Sequence, residues 1–313
     1  MSTEKVDIHF ITGFSRGGTT WLCKSLNSHS GIYSFGESCF WGRNYLDKEQ
    51  YNQEDVSRLI KKLALSDLEN GSVNKGKSVF KNVRAILNGL GSDLPMSPKE
   101  IFQELCDGLA NRSGKKMVVE KTPHHINHID RIRHAYPESK VIVMNRDGFG
   151  FYKSYKNIYL IKKGESRKAF KRSFHPLGAI MVYGKYKRSI NYARSLRNTL
   201  IIEFEEVVRN SSKVLEEVQE FLSLPIEEID IGRTNSSFTK VKSEGSISTE
   251  DRAWLALWGI EQPAPLSARE YVYAPFIFLY SICKLPLWGL NVIQQVGKMS
   301  ATNPLQYLIK LLR

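Results

Sequence analysis

Short apolar runs recur along the chain, separated by longer stretches whose apolar positions fall at helical spacing. Val6–Thr12 (VDIHFIT) is the first run; it stops at Gly13 and reads as a buried strand. Gly31–Phe35, Met117–Lys121 (MVVEK), Lys140–Asn145 (KVIVMN) and Thr199–Phe204 (TLIIEF) have the same character. Helices are expected over Thr20–Asn27, Glu54–Glu69, Pro123 to about Tyr136, Leu177–Leu196 and Ser212–Leu222, and after Asn145 helical patterns continue through Lys163. Ser97-Pro98-Lys99-Glu100 is a helix start, with Ser97 as N-cap, Pro98 in the first position and Glu100 closing a capping box. Gly71–Lys77 is polar and reads as a loop. Strands alternating with helices predict an α/β fold, a parallel sheet covered on both faces. No repeat or linker interrupts the pattern, so residues 1–260 are expected to form one α/β domain with helical insertions.

The turn after the first strand, Gly13-Phe14-Ser15-Arg16-Gly17-Gly18-Thr19-Thr20, comes close to a Walker A loop and makes the expected sheet P-loop-like. That pattern needs Lys before its final hydroxyl residue; here Thr19 stands there, which argues against an ordinary ATPase or GTPase. The amides of Gly17, Gly18, Thr19 and Thr20 still open a helix and are able to cradle an anion, and Arg16 brings fixed positive charge. A second element follows the KVIVMN strand: Arg146-Asp147-Gly148, with Ser154 eight residues on in the next helix. An Arg at a strand's C-terminal end and a Ser in the following helix are able to grip one phosphate from two sides.

Together, SRGGTTWL and VIVMNRDGFGFYKS resemble the two phosphate-binding segments of the PAPS-dependent sulfotransferases, in their order and spacing. The resemblance implies that Arg16, Gly17, Gly18, Thr19 and Thr20 hold the phosphosulfate of PAPS, and that Arg146 and Ser154 hold its 3′-phosphate. The Arg-Gly-Gly-Thr-Thr form and Gly36-Glu37-Ser38 are similar to tyrosylprotein and bacterial-type or carbohydrate sulfotransferases, and this nominates Glu37 as general base. Lys121, in Glu120-Lys121-Thr122-Pro123, is the second candidate cation. Asn235–Phe238 and Gly245–Ser248 look like a late loop that closes over the nucleotide, with Lys240 and Lys242 within reach of the 3′-phosphate. Relatives often carry Tyr-Glu after the late strand; this chain has Phe204-Glu205, which lacks the hydroxyl. Trp41–Asn111 matches nothing recognisable and is where acceptor specificity is expected to lie.

Sulfuryl transfer to an alcohol needs a base for the hydroxyl proton, cations for the developing charge and in-line alignment. Glu37, Arg16 and Lys121 supply the first two, and two fixed cations do work that a kinase gives to Mg²⁺, so no metal is expected. His124, His125 and His128 cluster after Pro123, and positions 124 and 128 share a helix face. No carboxylate at matching spacing completes a metal site, so they read as a partly exposed trio, with His125 or His128 as the alternative base. Two other readings stand beside the enzyme: a P-loop small-molecule kinase, which the Thr19 substitution opposes, and a non-catalytic anion- or glycan-binding module.

The net charge of +13 is concentrated. From Phe151 to Arg197 the chain holds thirteen Lys or Arg against one acid, Glu165. Such a cluster draws nucleotides, acidic glycans or anionic lipid, and it makes a glycan the favoured acceptor. No zinc-finger or RNP-type motif accompanies it, so nucleic acid is not expected. Residues 261–313 form a hydrophobic and amphipathic tail. Val272–Ile293 is long enough to span a bilayer, but Pro275, Lys284, Pro286 and Asn291 interrupt it. An interfacial anchor fits better, supported by the basic amphipathic Leu305–Arg313 (LQYLIKLLR); a helix pair packed on the protein or in a homodimer is the alternative. A first strand beginning at Val6 or Asp7 leaves no room for a signal peptide, and Cys23, Cys39, Cys106 and Cys283 show neither a disulfide framework nor zinc spacing. A cytoplasmic protein, peripherally attached to a membrane through the tail, is the expectation.

Overall fold

The computed structural model describes residues 5–69, 79–229 and 246–291. By internal packing the chain divides into two units, Met1–Asn145 with Arg188–Gly232, and Arg146–Lys187 with Arg233–Arg313. The expected domain boundary at residue 260 falls inside the second of these.

The first unit is built on five parallel strands: β1 (Asp7–Gly13), β2 (Ile32–Phe35), β3 (Met117–Lys121), β4 (Val141–Asn145) and β5 (Thr199–Glu203), in the order β2-β3-β1-β4-β5. Residues of β2, β3 and β4 are buried without alternation, which is why these runs are mainly apolar, with polar residues held back to Ser34, Glu120, Lys121 and Asn145. Register places Phe35 opposite Glu120 and Gly13 opposite Met144, so β1, β2, β3 and β4 all end along one edge. Strand order reverses around β1, and in open α/β sheets ligands sit outside the carboxyl ends at that point. Around the sheet lie α1 (Thr19–Leu26), α2 (Gln53–Leu63), α3 (Val79–Gly89), α4 (Pro98–Ser113) and α5 (Ile129–Ala135). Ile11, Leu22, Leu26, Ile142, Met144 and Val218 share one of its core clusters.

Two elements differ from their sequence expectation for tertiary reasons. The helix expected over Glu54–Glu69 ends at Leu63, because the chain beyond it turns to pair with the end of β2: the Gly36 amide donates to the Leu68 carbonyl at 3.1 Å, and the backbones of Glu37 and Asp67 form an antiparallel β-bridge. The helix expected from Pro123 opens as a 3₁₀ segment, Pro123–His128, before α5. The capping box at Ser97 and Glu100 forms as expected, with Pro98 in the first turn.

The second unit contains α6 (Gly148–Lys156) and α7 (Gly164–Arg172). Then α8 (Pro176–Ala193) carries the chain back into the first unit, where α9 (Phe204–Arg209) and α10 (Ser211–Phe221) follow β5. The second unit resumes with α11 (Thr249–Leu257) and α12 (Ala268–Cys283). Tyr152, Ile180, Trp254 and Leu255 form its core, with Phe174 and Phe278 packed against them.

His9 on β1 makes a prediction about acid stability. Burial is the main reason its imidazole is held down to about 4; Asp7 opposes this, and the Lys140 charge adds to the lowering. The ring stays neutral and its Nδ1 accepts the Lys140 amide at 3.1 Å. In the unfolded chain an imidazole titrates near ~6.5. The unfolded state therefore binds the extra proton first, and stability falls as pH drops from about 6.5 to about 4, by at most ~3 kcal/mol. Thermal unfolding across that window should show the slope in wild type and a flatter profile in His9→Asn.

Candidate active site

The first unit brings three strand ends together around a turn whose shape only particular residues permit. Gly13 closes β1 with φ +118°, and a Cβ there would lie 2.2 Å from the Met144 carbonyl oxygen. β1 and β4 thus approach too closely for any side chain, and the Phe14 amide donates to that same oxygen at 2.9 Å. The chain then turns through Arg16, in the left-handed region at φ 73°, and Gly18 at φ 91°. Gly18 is the N-cap of α1, so the amides that follow it open a helix N-terminus. Phe204, the residue lacking the expected hydroxyl, packs its ring on this turn: a Cβ at Gly18 would be 2.9 Å from it.

Lys121, the last residue of β3, is fully buried. Its ammonium donates to Glu37 Oε1 at 2.9 Å and to the Thr20 hydroxyl at 3.3 Å. Glu37 retains 26% of its side-chain exposure, so its carboxylate meets solvent while a buried cation holds it. Burial pushes the Arg16 guanidinium below its ordinary range, and the Glu37 charge works in the opposite direction. Arg16, Thr20, Glu37 and Lys121 therefore act on one another at the carboxyl edge of the sheet.

Behind this cluster lies a network that the sequence did not disclose. Glu120 is fully buried. Its Oε1 accepts from the Ser38 amide (3.1 Å), the Ser38 hydroxyl (2.7 Å) and the Thr122 hydroxyl (2.6 Å). His125 Nδ1 stands 3.0 Å from its Oε2, and His125 Nε2 accepts the Trp41 amide at 3.2 Å. That acceptor role places the ring proton on Nδ1, facing the carboxylate. Burial alone pushes the Glu120 carboxyl up, but the facing His125 ring and the Thr122 and Ser38 hydroxyls outweigh it and hold the carboxyl below the usual range. One carboxylate thereby ties the segment carrying Glu37 to the segment carrying Lys121. The available signal was position: Glu120 lies in a strand buried on both faces, where a charge has to find partners.

The histidine trio needs correction. His125 is fully buried and both its ring nitrogens are engaged, so it is not exposed and has no nitrogen left for a substrate proton. His124 is exposed, and His128 lies with its ring against Gly42. Among the described residues no three His, Cys, Asp or Glu side chains group as a metal site would require.

In the second unit Arg146 is 7% exposed and Ser154, on α6, 4%. Asp147 caps α6 by accepting the Gly150 amide at 2.7 Å, and a Cβ at Gly150 would be 3.1 Å from Arg146 Nε. The guanidinium thus lies along the first turn of α6. Lys240 and Lys242 fall outside the described residues.

Residues 9–228 match the model of the Sulfotransferase family. The chain belongs to the sulfotransferase family. The match spans the Gly13–Thr20 turn, Glu37, Lys121 and the Arg146–Ser154 segment, and leaves the C-terminal helix outside it. The sulfotransferase domain of the Synechococcus PCC 7002 olefin synthase is similar in fold, with a TM-score of 0.52 at 16% identity over 88% of this chain and 96% of that one. Similar structures also include a sulfotransferase domain from the curacin biosynthetic pathway (TM-score 0.47, 17% identity, 88% and 98% covered) and a sulfotransferase from Alicyclobacillus acidocaldarius (TM-score 0.46, 17% identity, 82% and 91% covered). Comparison with curated proteins gives no match. In this sulfotransferase the parallel sheet and its helices present the Gly-rich turn at the carboxyl edge.

Proposed function

We propose that this sulfotransferase takes its sulfuryl group from PAPS and transfers it to a hydroxyl acceptor, with Glu37 as general base. The observation that carries the reading is the Glu37–Lys121–Thr20 cluster beside the Gly17–Thr20 turn. The donor set there suits a phosphosulfate: helix-opening amides, two hydroxyls, a guanidinium in the turn and a buried ammonium. When bound, PAPS supplies an activated sulfuryl group on a phosphate leaving group.

The residues divide the remaining work. Glu37, partly open to solvent, takes the acceptor's proton on a carboxylate oxygen. Lys121 fixes that carboxylate and, with Arg16, presents positive charge where negative charge builds up. Thr19 and Thr20 donate from the start of α1. The motif resemblance assigns the 3′-phosphate to Arg146 and Ser154, with Lys240 and Lys242 as further contacts. The acceptor class we favour is a glycan hydroxyl, on the strength of the basic stretch Phe151–Arg197.

The test is transfer of labelled sulfate from PAPS to a panel of glycans, a tyrosine peptide and a simple alcohol, with a chelator present. Label on a hydroxyl acceptor is the expected result, strongest on a glycan. Transfer of phosphate from ATP–Mg²⁺, with none from PAPS, would contradict the reading.

A further inference from the structure

The second unit has an apolar surface that the chemistry does not use. From Ala268 to Asn291 the chain is helical, α12 continuing past a turn at Lys284, and these 24 residues are apolar enough to cross a bilayer. One face of this helix is docked on protein. Ala274 and Ser281 are buried, and Phe278 meets Trp254 edge-on at 5.0 Å. The Ser281 hydroxyl accepts from Trp254 Nε1 at 2.9 Å, and its carbonyl oxygen pairs with His175 Nε2 at 3.0 Å. Further along, Trp288 Nε1 donates to the Ser173 carbonyl at 2.7 Å. Positions 274, 278, 281 and 288 recur on one helix face.

The other side is bare. Val272 and Phe276 are each 69% exposed, Leu279 63%, Leu287 66% and Leu290 57%. Residues 271–291 hold no Asp or Glu and a single Lys, Lys284, which pairs with Glu250 at 3.3 Å. The Trp288–Ser173 bond sets the far end of this helix beside the C-terminal end of α7, where Lys171 and Arg172 are exposed; Arg167, midway along α7, and Lys163, at its start, are exposed too, and Lys168 pairs with Glu165. Tyr271, Tyr273 and Tyr280 add side chains with an apolar body and a polar tip.

We propose that this face docks the protein on an anionic membrane surface. A helix with one face fixed to protein by buried hydrogen bonds is not available to be surrounded by lipid, so it lies in the plane of the interface rather than crossing it. Val272, Phe276, Leu279 and Leu287 enter the acyl boundary, and the cations of α7 meet lipid phosphates. A second copy is the poorer occupant: it would set two cationic margins of a chain of net charge +13 together, whereas anionic lipid matches both the apolar face and its margin. The proposal stands apart from the transfer chemistry and holds whatever the acceptor.

Flotation of the full chain with vesicles tests it, using phosphatidylcholine alone and an equal mixture with phosphatidylglycerol. Binding to the mixed vesicles, weakened by salt, is expected, and Phe276→Glu with Leu279→Glu should lower it about tenfold or more, with the thermal transition unchanged. Should that variant unfold, Lys171→Glu with Arg172→Glu on the exposed end of α7 gives a second arm, with binding reduced and its salt dependence flattened. A chain ending at Asn291 should still float. No flotation with anionic vesicles, flotation indifferent to both variant pairs, or its loss on removing residues 292–313 alone would overturn the proposal. So would a dimer in solution that Phe276→Glu with Leu279→Glu splits while vesicles go unbound.

Discussion

Replacing Glu37 with Gln should lower kcat for sulfuryl transfer by about 10²–10⁴-fold, the range a positioned general base supplies. The amide keeps the shape of the carboxylate and an oxygen for the Lys121 ammonium, which reaches Glu37 Oε1 at 2.9 Å, so the site should keep its geometry. What it loses is the basic oxygen facing solvent. Donor affinity should change little, because Thr19, Thr20 and the amides after Gly17 are untouched. Initial rates with PAPS, beside PAP binding to the same variant, separate the two effects. Wild-type turnover in Glu37→Gln would place the proton acceptor elsewhere; His125 would not be that residue, since both its ring nitrogens are already engaged.

The largest stability loss is expected at Glu120. Glu120→Ala strands the Ser38 amide, the Ser38 and Thr122 hydroxyls and the His125 Nδ1–H, all without water to replace the carboxylate. Breaking a buried, multiply bonded charge costs about 3–5 kcal/mol. Activity should fall as well, through kcat more than through donor affinity, because Ser38 follows Glu37, the proposed base, and Thr122 follows Lys121. Glu120→Gln should recover part of the stability, since its oxygen still accepts from Ser38 and Thr122 while its NH₂ opposes the His125 proton. Chemical denaturation of the two variants ranks them. The native Glu120 carboxyl lies below its unfolded range, so its contribution is present above the ordinary carboxylate pKa of ~4.3 and is lost as pH falls further. That loss lies at lower pH than the His9 window and deepens the same acid sensitivity. A Glu120→Ala protein as stable as wild type would show the network to be incidental.

The sheet was legible because its strands are short and mainly apolar, and all but β5 are buried on both faces, a signal that needs no tertiary knowledge. Arg16, Glu37 and Lys121 were legible as types at motif positions. Which of them touch was not. Glu37 and Lys121 are 84 residues apart and meet because β2 and β3 run side by side with Phe35 opposite Glu120. The same register hid Glu120, which looked like a polar neighbour of Lys121 and is the post on which both segments hang. The histidines misled for a related reason: sequence spacing reports a shared helix face, but the 3₁₀ start at Pro123 turns His125 inward to Glu120. Trp41–Asn111 yielded its Ser97 cap and the helix begun near Glu54 but no site residue, since α2 and α3 carry ordinary amphipathic patterns without a chemical motif.

The central claim is a PAPS site, and calorimetric titration of PAP, with a chelator present, onto wild type and Arg146→Ala tests it most directly. The account predicts metal-independent binding by wild type and about 10–100-fold weaker binding by the variant, as expected for loss of a charge-assisted phosphate contact. No binding of PAP, with ATP–Mg²⁺ bound in its place, would contradict it.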